Sequence, residues 1–154
     1  MRIRGRNRDA EQVLNKKGMR NFSLMERKSP TPRVLVVEDE LLIRWAIAEI
    51  LTQSGHIVLE ASDGASAIRA LTGATEPVDV VLLDYRLPDS NDLALLATIR
   101  RLAPASSVVL MTAYGTPEVT QGAFQLGVCR ILNKPFDMHD LAPVVLQACG
   151  SRPH

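Results

Sequence analysis

From residue 33 onward, short runs of β-branched and aliphatic residues alternate with longer stretches whose apolar positions recur at helical spacing. The alternation occurs five times and predicts strands over 34–37, 57–60, 78–83, 107–111 and 129–132. The first, third and fourth runs are almost continuously apolar, as expected of parallel strands covered on both faces. Residues 41–53 form the first predicted helix, with Leu42, Ala46, Ile50 and Leu51 on one stripe and Gly55 as its left-handed stop. Asp63 is placed to cap a second helix that turns Ala67, Ile68 and Leu71 inward. Asn91 or Ser90 opens a third over 92–101, which Pro104 ends. Thr116 and Pro117 read as an N-cap and first-turn proline, and that helix closes at Gly127. Asp137 caps the fifth, running to about Cys149. A strand-helix alternation of this kind, joined by right-handed crossovers, predicts an α/β doubly wound sheet of five parallel strands.

Composition narrows the class without changing that picture. A chain of 154 residues, 46% hydrophobic and 23% charged, fits one globular domain that needs neither disulfide nor metal to fold. Cys129 and Cys149 lack partners at metal-ligand spacing, so neither a zinc site nor a disulfide framework is expected. No apolar run approaches the roughly 20 residues of a membrane span, and the N-terminus lacks the apolar core of a secretory signal. A reducing, cytoplasmic compartment is the expectation.

The net charge of +1 hides an asymmetry. Residues 1–33 hold ten Lys or Arg against Asp9, Glu11 and Glu26, for +7, whereas residues 34–154 carry −6. With only scattered apolar residues, segment 1–32 reads as a basic, disordered extension. It serves either as a tether for nucleic acid or an acidic partner, or as a solvated tail, or reflects an upstream start ahead of initiation at Met25. The folded domain would occupy 33–150 and leave 151–154 as a tail.

In an open parallel sheet the functional crevice lies outside the carboxyl ends of the strands, where strand order reverses. Polar residues collect at those ends: Glu38, Asp39 and Glu40 after the first strand, Asp84 after the third, Thr112 after the fourth, Lys134 and Pro135 after the fifth. Glu38 or Asp39 beside Asp84 would repel it strongly unless a divalent cation lay between them, and hard carboxylate oxygens suit Mg2+. A phosphoryl group drawn there would meet Asp84 as a nucleophile, Lys134 as a counter-charge and Thr112 as a hydroxyl able to bond a phosphoryl oxygen. That set of parts makes a switch.

The runs VLVVEDE, VDVVLLDYRLP, VVLMTAYG and ILNKPF, in this order and spacing, resemble the signature blocks of the response-regulator receiver domain over roughly residues 33–150. The resemblance implies a flavodoxin-like (βα)5 fold and two-component signalling, with Asp84 accepting phosphate from a sensor histidine kinase or a histidine phosphotransfer protein. It implies Mg2+ held by Asp39, Asp84 and the backbone carbonyl of Arg86, with Glu38 acting through water. Thr112 becomes the switch hydroxyl, Lys134 the phosphate partner, and the Lys134–Pro135 bond cis. The output goes to a downstream protein through the face of the fourth helix, fifth strand and fifth helix, residues 117–147, where Phe124, Ala123, Val128 and Ala142 are the apolar candidates. Homodimerisation on phosphorylation is among the outcomes the family allows. The folded domain is not expected to bind nucleic acid or membrane.

Three positions depart from the family pattern. Ile131 stands where a switch aromatic is usual, so signalling is expected to run through the threonine loop alone. Asp92, preceded by Asn91, replaces a common glycine and predicts a different loop shape after the third strand. Glu38 replaces the commoner aspartate. Tyr114 and Arg86 flank the phosphoryl site and are expected to govern access of attacking water. Trp45 reads as a packing residue or a partner contact, and His56, His139 and His154 carry no catalytic role.

Two other functions compete. A phosphatase acting through an aspartyl phosphate would need a second aspartate two residues after the nucleophile, and that position is Arg86. A degenerate receiver, never phosphorylated, would act as a constitutive binding module. The expectation is a signalling domain whose only chemistry is phosphorylation and dephosphorylation of Asp84. Because little chain follows the last helix, no output domain is expected, leaving a stand-alone regulator or one part of a longer protein.

Overall fold

A computed structural model describes residues 31–113 and 115–150. The basic segment before Thr31, Tyr114 and the tail 151–154 with His154 lie outside the described residues, as do the expectations that fall on them.

Among the described residues, five strands and five helices alternate: β1 (Arg33–Val37), α1 (Leu41–Gln53), β2 (Ile57–Ala61), α2 (Gly64–Thr72), β3 (Val80–Asp84), α3 (Ala94–Leu102), β4 (Ser107–Thr112), α4 (Pro117–Gln125), β5 (Arg130–Asn133) and α5 (Leu141–Gly150). The strands form one sheet in the order β2-β1-β3-β4-β5, every pair parallel. This is the flavodoxin-like order of a (βα)5 domain, and its reversal point lies between β1 and β3.

Alternate strand residues feed two cores, one on each face of the sheet. Leu35, Val37, Val81, Leu83, Val108 and Leu110 pack with Ala67, Leu96, Ile99 and Ala123 from α2, α3 and α4. Val34, Val36, Val80, Leu82, Val109 and Met111 pack with Ile47, Leu51, Leu141 and Val145 from α1 and α5. β3 and β4 are buried along their whole length, whereas β2 and β5, at the sheet edges, are half exposed.

Most local signals act as the sequence indicates. Gly55 takes φ +93 as α1 ends, and the His56 amide returns to the Leu51 carbonyl at 3.0 Å. Asp63 and Ser66 form a reciprocal capping box on α2. Thr116 Oγ1 accepts from the Val119 amide at 3.2 Å, with Pro117 opening α4.

Four local expectations are corrected. Leu42 does not join the buried stripe of α1: it is 74% exposed, and the inward line runs through Ile43, Ile47 and Leu51, one residue and hence about 100° further round. Trp45 is 59% exposed, so it is not a packing residue. Neither Ser90 nor Asn91 caps α3, which starts at Ala94 with its amide bonded to Asp92 Oδ1 at 2.8 Å. Asp137 caps a three-residue 3-10 turn, Met138–Asp140, and α5 begins only at Leu141. Pro143 explains this last shift, because an α-helix starting at Met138 would need a Pro143 N–H to reach the His139 carbonyl.

Candidate functional site

The carboxyl ends of β1, β3 and β4 open into a cleft of about 450 Å³ lined by Glu38, Asp39, Glu40, Asp84, Arg86, Ala113 and Lys134. Glu38 is the first residue beyond β1. Its amide extends the ladder to the Ala61 carbonyl at 3.0 Å, which aims its side chain inward, where it is 1% exposed. Asp39 follows on the exposed lip. Asp84 ends β3 and is 5% exposed, paired with Met111 of β4 and one residue beyond the last pair with β1, Val37 and Leu83. One oxygen each from Glu38, Asp39 and Asp84 lie within 4.8 Å of one another.

Lys134 enters from the other side. Its amide donates to the Thr112 carbonyl at 2.8 Å, and its bond to Pro135 is cis. Its Nζ sits 2.8 Å from Glu38 Oε1 and 3.3 Å from Asp84 Oδ2. The remaining carboxylate oxygens are partly satisfied by backbone: Glu40 N donates to Glu38 Oε2 at 3.1 Å and Arg86 N to Asp84 Oδ1 at 3.2 Å. Thr112 ends β4, buried at 1% exposure, directly before the cleft residue Ala113. Of the expected site residues, the fold therefore brings Glu38, Asp39, Asp84, Arg86 and Lys134 into one cleft, whereas Thr112, buried at the end of β4, is not among the residues that line it.

Charge crowding shapes the titration. Burial and then the Glu38 charge push the Asp84 carboxyl up to about 6, against the pull of Lys134 and the Arg86 amide. Burial also opposes ionisation of Glu38, but Lys134 and the Glu40 amide outweigh it and hold Glu38 below the usual carboxylate range. Burial likewise opposes the Lys134 charge, and its two carboxylate partners more than restore it, leaving its pKa raised. Three carboxylates facing one ammonium favour a divalent cation, and oxygen donors of this spacing fit Mg2+, which takes a few carboxylates and keeps several waters.

One residue of the site gives no sequence signal. Arg44, on α1, donates from Nη1 to the Glu38 carbonyl at 2.9 Å and from Nε to Glu60 Oε1 at 3.1 Å, so it braces the turn that carries Glu38 and Asp39. An arginine in the first turns of a surface helix reads as a solvated charge, and only the tertiary contact distinguishes it.

Comparison with known proteins places the chain in a family. Residues 34–146 match the family model of the response regulator receiver domain. The transcriptional regulatory protein PdtaR of Mycobacterium tuberculosis H37Rv is 38% identical over 116 residues, 73% of this chain and 54% of that protein. The sporulation initiation phosphotransferase F of Bacillus subtilis is 29% identical over 113 residues, 73% of this chain and 90% of that one. The DNA-binding transcriptional regulator NtrC of Escherichia coli K12 is 35% identical over 115 residues, 75% of this chain, and the match spans about a quarter (24%) of its length. Among solved structures, the receiver domain of NtrX from Brucella abortus superposes with a TM-score of 0.69 at 33% identity, covering 77% of this chain and 98% of that one. A CheY-like receiver from Methanospirillum hungatei JF-1 reaches 0.73 at 23% identity, over 79% and 95% of the two chains, a likeness of fold. Receiver domains are signalling modules that bind Mg2+ in an acidic pocket and interact with histidine kinases or phosphotransfer proteins and with downstream targets. No helix among the described residues is long and apolar enough to cross a membrane. With the family model matched over its strands, helices and acidic cleft, this chain belongs to the response regulator receiver domains of two-component signal transduction.

Proposed function

We propose that residues 33–150 are a phosphorylation-controlled switch that takes a phosphoryl group on Asp84, with 1–32 as a basic extension and 151–154 as a tail. The observation that carries this reading is the placement of Asp84: buried at the end of β3, within a three-carboxylate cluster, 3.3 Å from the Lys134 ammonium. In the step proposed, an Asp84 carboxylate oxygen attacks the phosphorus of a phosphohistidine in a kinase or phosphotransfer protein. The P–N bond breaks, the imidazole nitrogen keeps the electron pair, and an aspartyl phosphate remains. Asp39, Asp84 and the Arg86 carbonyl would hold a Mg2+ ion, with Glu38 contributing through water, and the bound ion would supply charge neutralisation to the transferring group. Lys134 pairs with the added charge, and Thr112 donates its hydroxyl to a phosphoryl oxygen. Arg86 and Tyr114 control access of hydrolytic water. The downstream partner binds the face of α4, β5 and α5, where Phe124 and Leu146 are exposed, whereas Ala123 and Val128, expected on that face, are buried in the core under α2, α3 and α4; a cytoplasmic location accompanies this role.

Ile131 keeps a second reading in view. It is half-buried and packed against the core under α2, α3 and α4, with no ring to reorient, as a constitutive binding module would allow. Intact-mass measurement after incubation with Mg2+ and acetyl phosphate separates the two. A gain of about 80 Da in wild type, absent from Asp84→Ala and abolished by EDTA, is expected of the switch. A folded wild type that gains no mass and binds no beryllofluoride would instead be the constitutive module.

A further inference from the structure

The connection between β3 and α3 is pinned at points the site chemistry does not explain. At its start, the Tyr85 amide donates to the Met111 carbonyl at 2.8 Å, and Arg86 N reaches Asp84 Oδ1. Leu87 is buried in the core under α2, α3 and α4, and Leu87 and Ser90 exchange backbone bonds at 2.8 and 3.2 Å, closing a tight turn. At the tip of that turn, Asp89 crosses to another element: its Oδ1 accepts from the Gly64 amide at 2.8 Å and its Oδ2 from the Ala65 amide at 3.0 Å. The two first N–H groups of α2 are thus satisfied from 25 and 24 residues away, while Asp63 satisfies the third at Ser66, 2.8 Å. The approach is tight: a Cβ at Gly64 would lie 3.1 Å from Asp89 Oδ1 and from Leu95 Cδ2, so a larger residue there would push the Asp89 carboxylate back by a few tenths of an ångström.

We infer that Asp89 is a positioning residue, which by docking on the N-terminus of α2 sets where the Arg86 backbone stands in the cleft. Two residues separate Arg86 from Asp89, and the turn between them is closed by paired backbone bonds, so a shift at Asp89 passes to the Arg86 carbonyl with little to absorb it. Metal ligands tolerate displacements of only about 0.5 Å. The anion is also favoured where it sits, because the helix end carries partial positive charge. The inference rests on the proposed reading of the Arg86 carbonyl as a metal ligand.

The test uses the full chain and reads Mg2+ affinity by calorimetric titration, with thermal stability beside it. Asp89→Ala and Gly64→Ala break the same contact from opposite sides, and each is expected to weaken Mg2+ binding about five-fold, about 1 kcal/mol. Asp89→Asn, which keeps an acceptor oxygen, is expected to recover part of that loss. Asp63→Ala removes the other cap of α2 without touching the loop; it is expected to lower the melting temperature and leave Mg2+ affinity unchanged. Unchanged affinity in both Asp89→Ala and Gly64→Ala, or equal weakening in Asp63→Ala, would overturn the inference while leaving the Asp84 switch standing. A wild type that binds no Mg2+ would remove both.

Discussion

Asp84, Asp39, Glu38 and Lys134 announce themselves in the sequence because polar residues directly after apolar strands have nowhere to go but the crevice above the sheet. Arg44 and Asp89 do not, since each acts through a tertiary contact, Arg44 on the Glu38 carbonyl and Glu60 and Asp89 on the amides of Gly64 and Ala65, and each resembles an ordinary surface charge. His56 is a third kind of case: a histidine assigned no chemistry that the fold nevertheless buries. Neither ring nitrogen has a hydrogen-bond partner, and burial pushes its pKa below the ordinary value of 6.5. Its stabilising contribution is then complete above about pH 6.5 and is lost as pH falls through the lowered folded value, by about 1.4 kcal/mol for each unit of depression. Asp84 works in the opposite sense over the same window, because a carboxyl raised from 3.8 to about 6 favours folding as it takes up a proton. The comparison that isolates His56 is therefore between wild type and His56→Leu, unfolded by urea in matched buffers from pH 7.5 to 5. Wild type is expected to lose stability relative to the variant below pH 6.5, and parallel curves would mean that His56 does not titrate differently on unfolding.

At the level of elements, the termini written in local chemistry were legible and those set by longer bonds were not. Gly55 and Thr116 act through their own backbone or the next turn, Gly55 ending α1 and Thr116 opening α4 as their residue types indicate. The starts of α3 and α5 differ because Asp92 captures the Ala94 amide from outside the helix and Pro143 withholds an amide from inside it. The capping roles yield a graded expectation in denaturant unfolding. Thr116→Ala removes the acceptor for Val119 N and is expected to cost about 1 kcal/mol. Gly55→Ala meets no atom within 4 Å but forces an L side chain to φ +93, and is expected to cost a similar 1–2 kcal/mol, roughly, from conformation alone. Asn91→Ala is expected to stay within about 0.5 kcal/mol of wild type, since Asn91 caps nothing in α3. A loss at Asn91 equal to that at Thr116 would contradict the assignment of the α3 start.

Over the whole molecule, the sheet order places the acidic cleft at the β1/β3 reversal and leaves β4 and β5 to connect it with α4 and α5. The proposed switch has two candidate routes outward from Asp84. One would pass through Thr112 and the loop into α4; the other would pass through β5, where Ile131 packs into the core beside β4. An aliphatic side chain already among core residues has no alternative exposed pose that favours a bound phosphoryl group, so the β5 route offers little differential free energy. The loop route has a contact that can transmit: Gly115 lies so close to β5 that a Cβ there would come within 2.8 Å of Asn133 Oδ1. Movement of Thr112 toward a phosphoryl oxygen would therefore shift the loop against the end of β5 and carry the start of α4, capped by Thr116, along with it. NMR of the full chain titrated with Mg2+ and beryllofluoride distinguishes the routes. The amides of residues 113, 115, 116 and 118–120 are expected to shift most, Asn133 to follow, and the Ile131 methyl groups to stay near their starting positions. Ile131 methyl shifts as large as those of the loop would show that the core under α4 repacks, and that signalling in this domain runs through β5 after all.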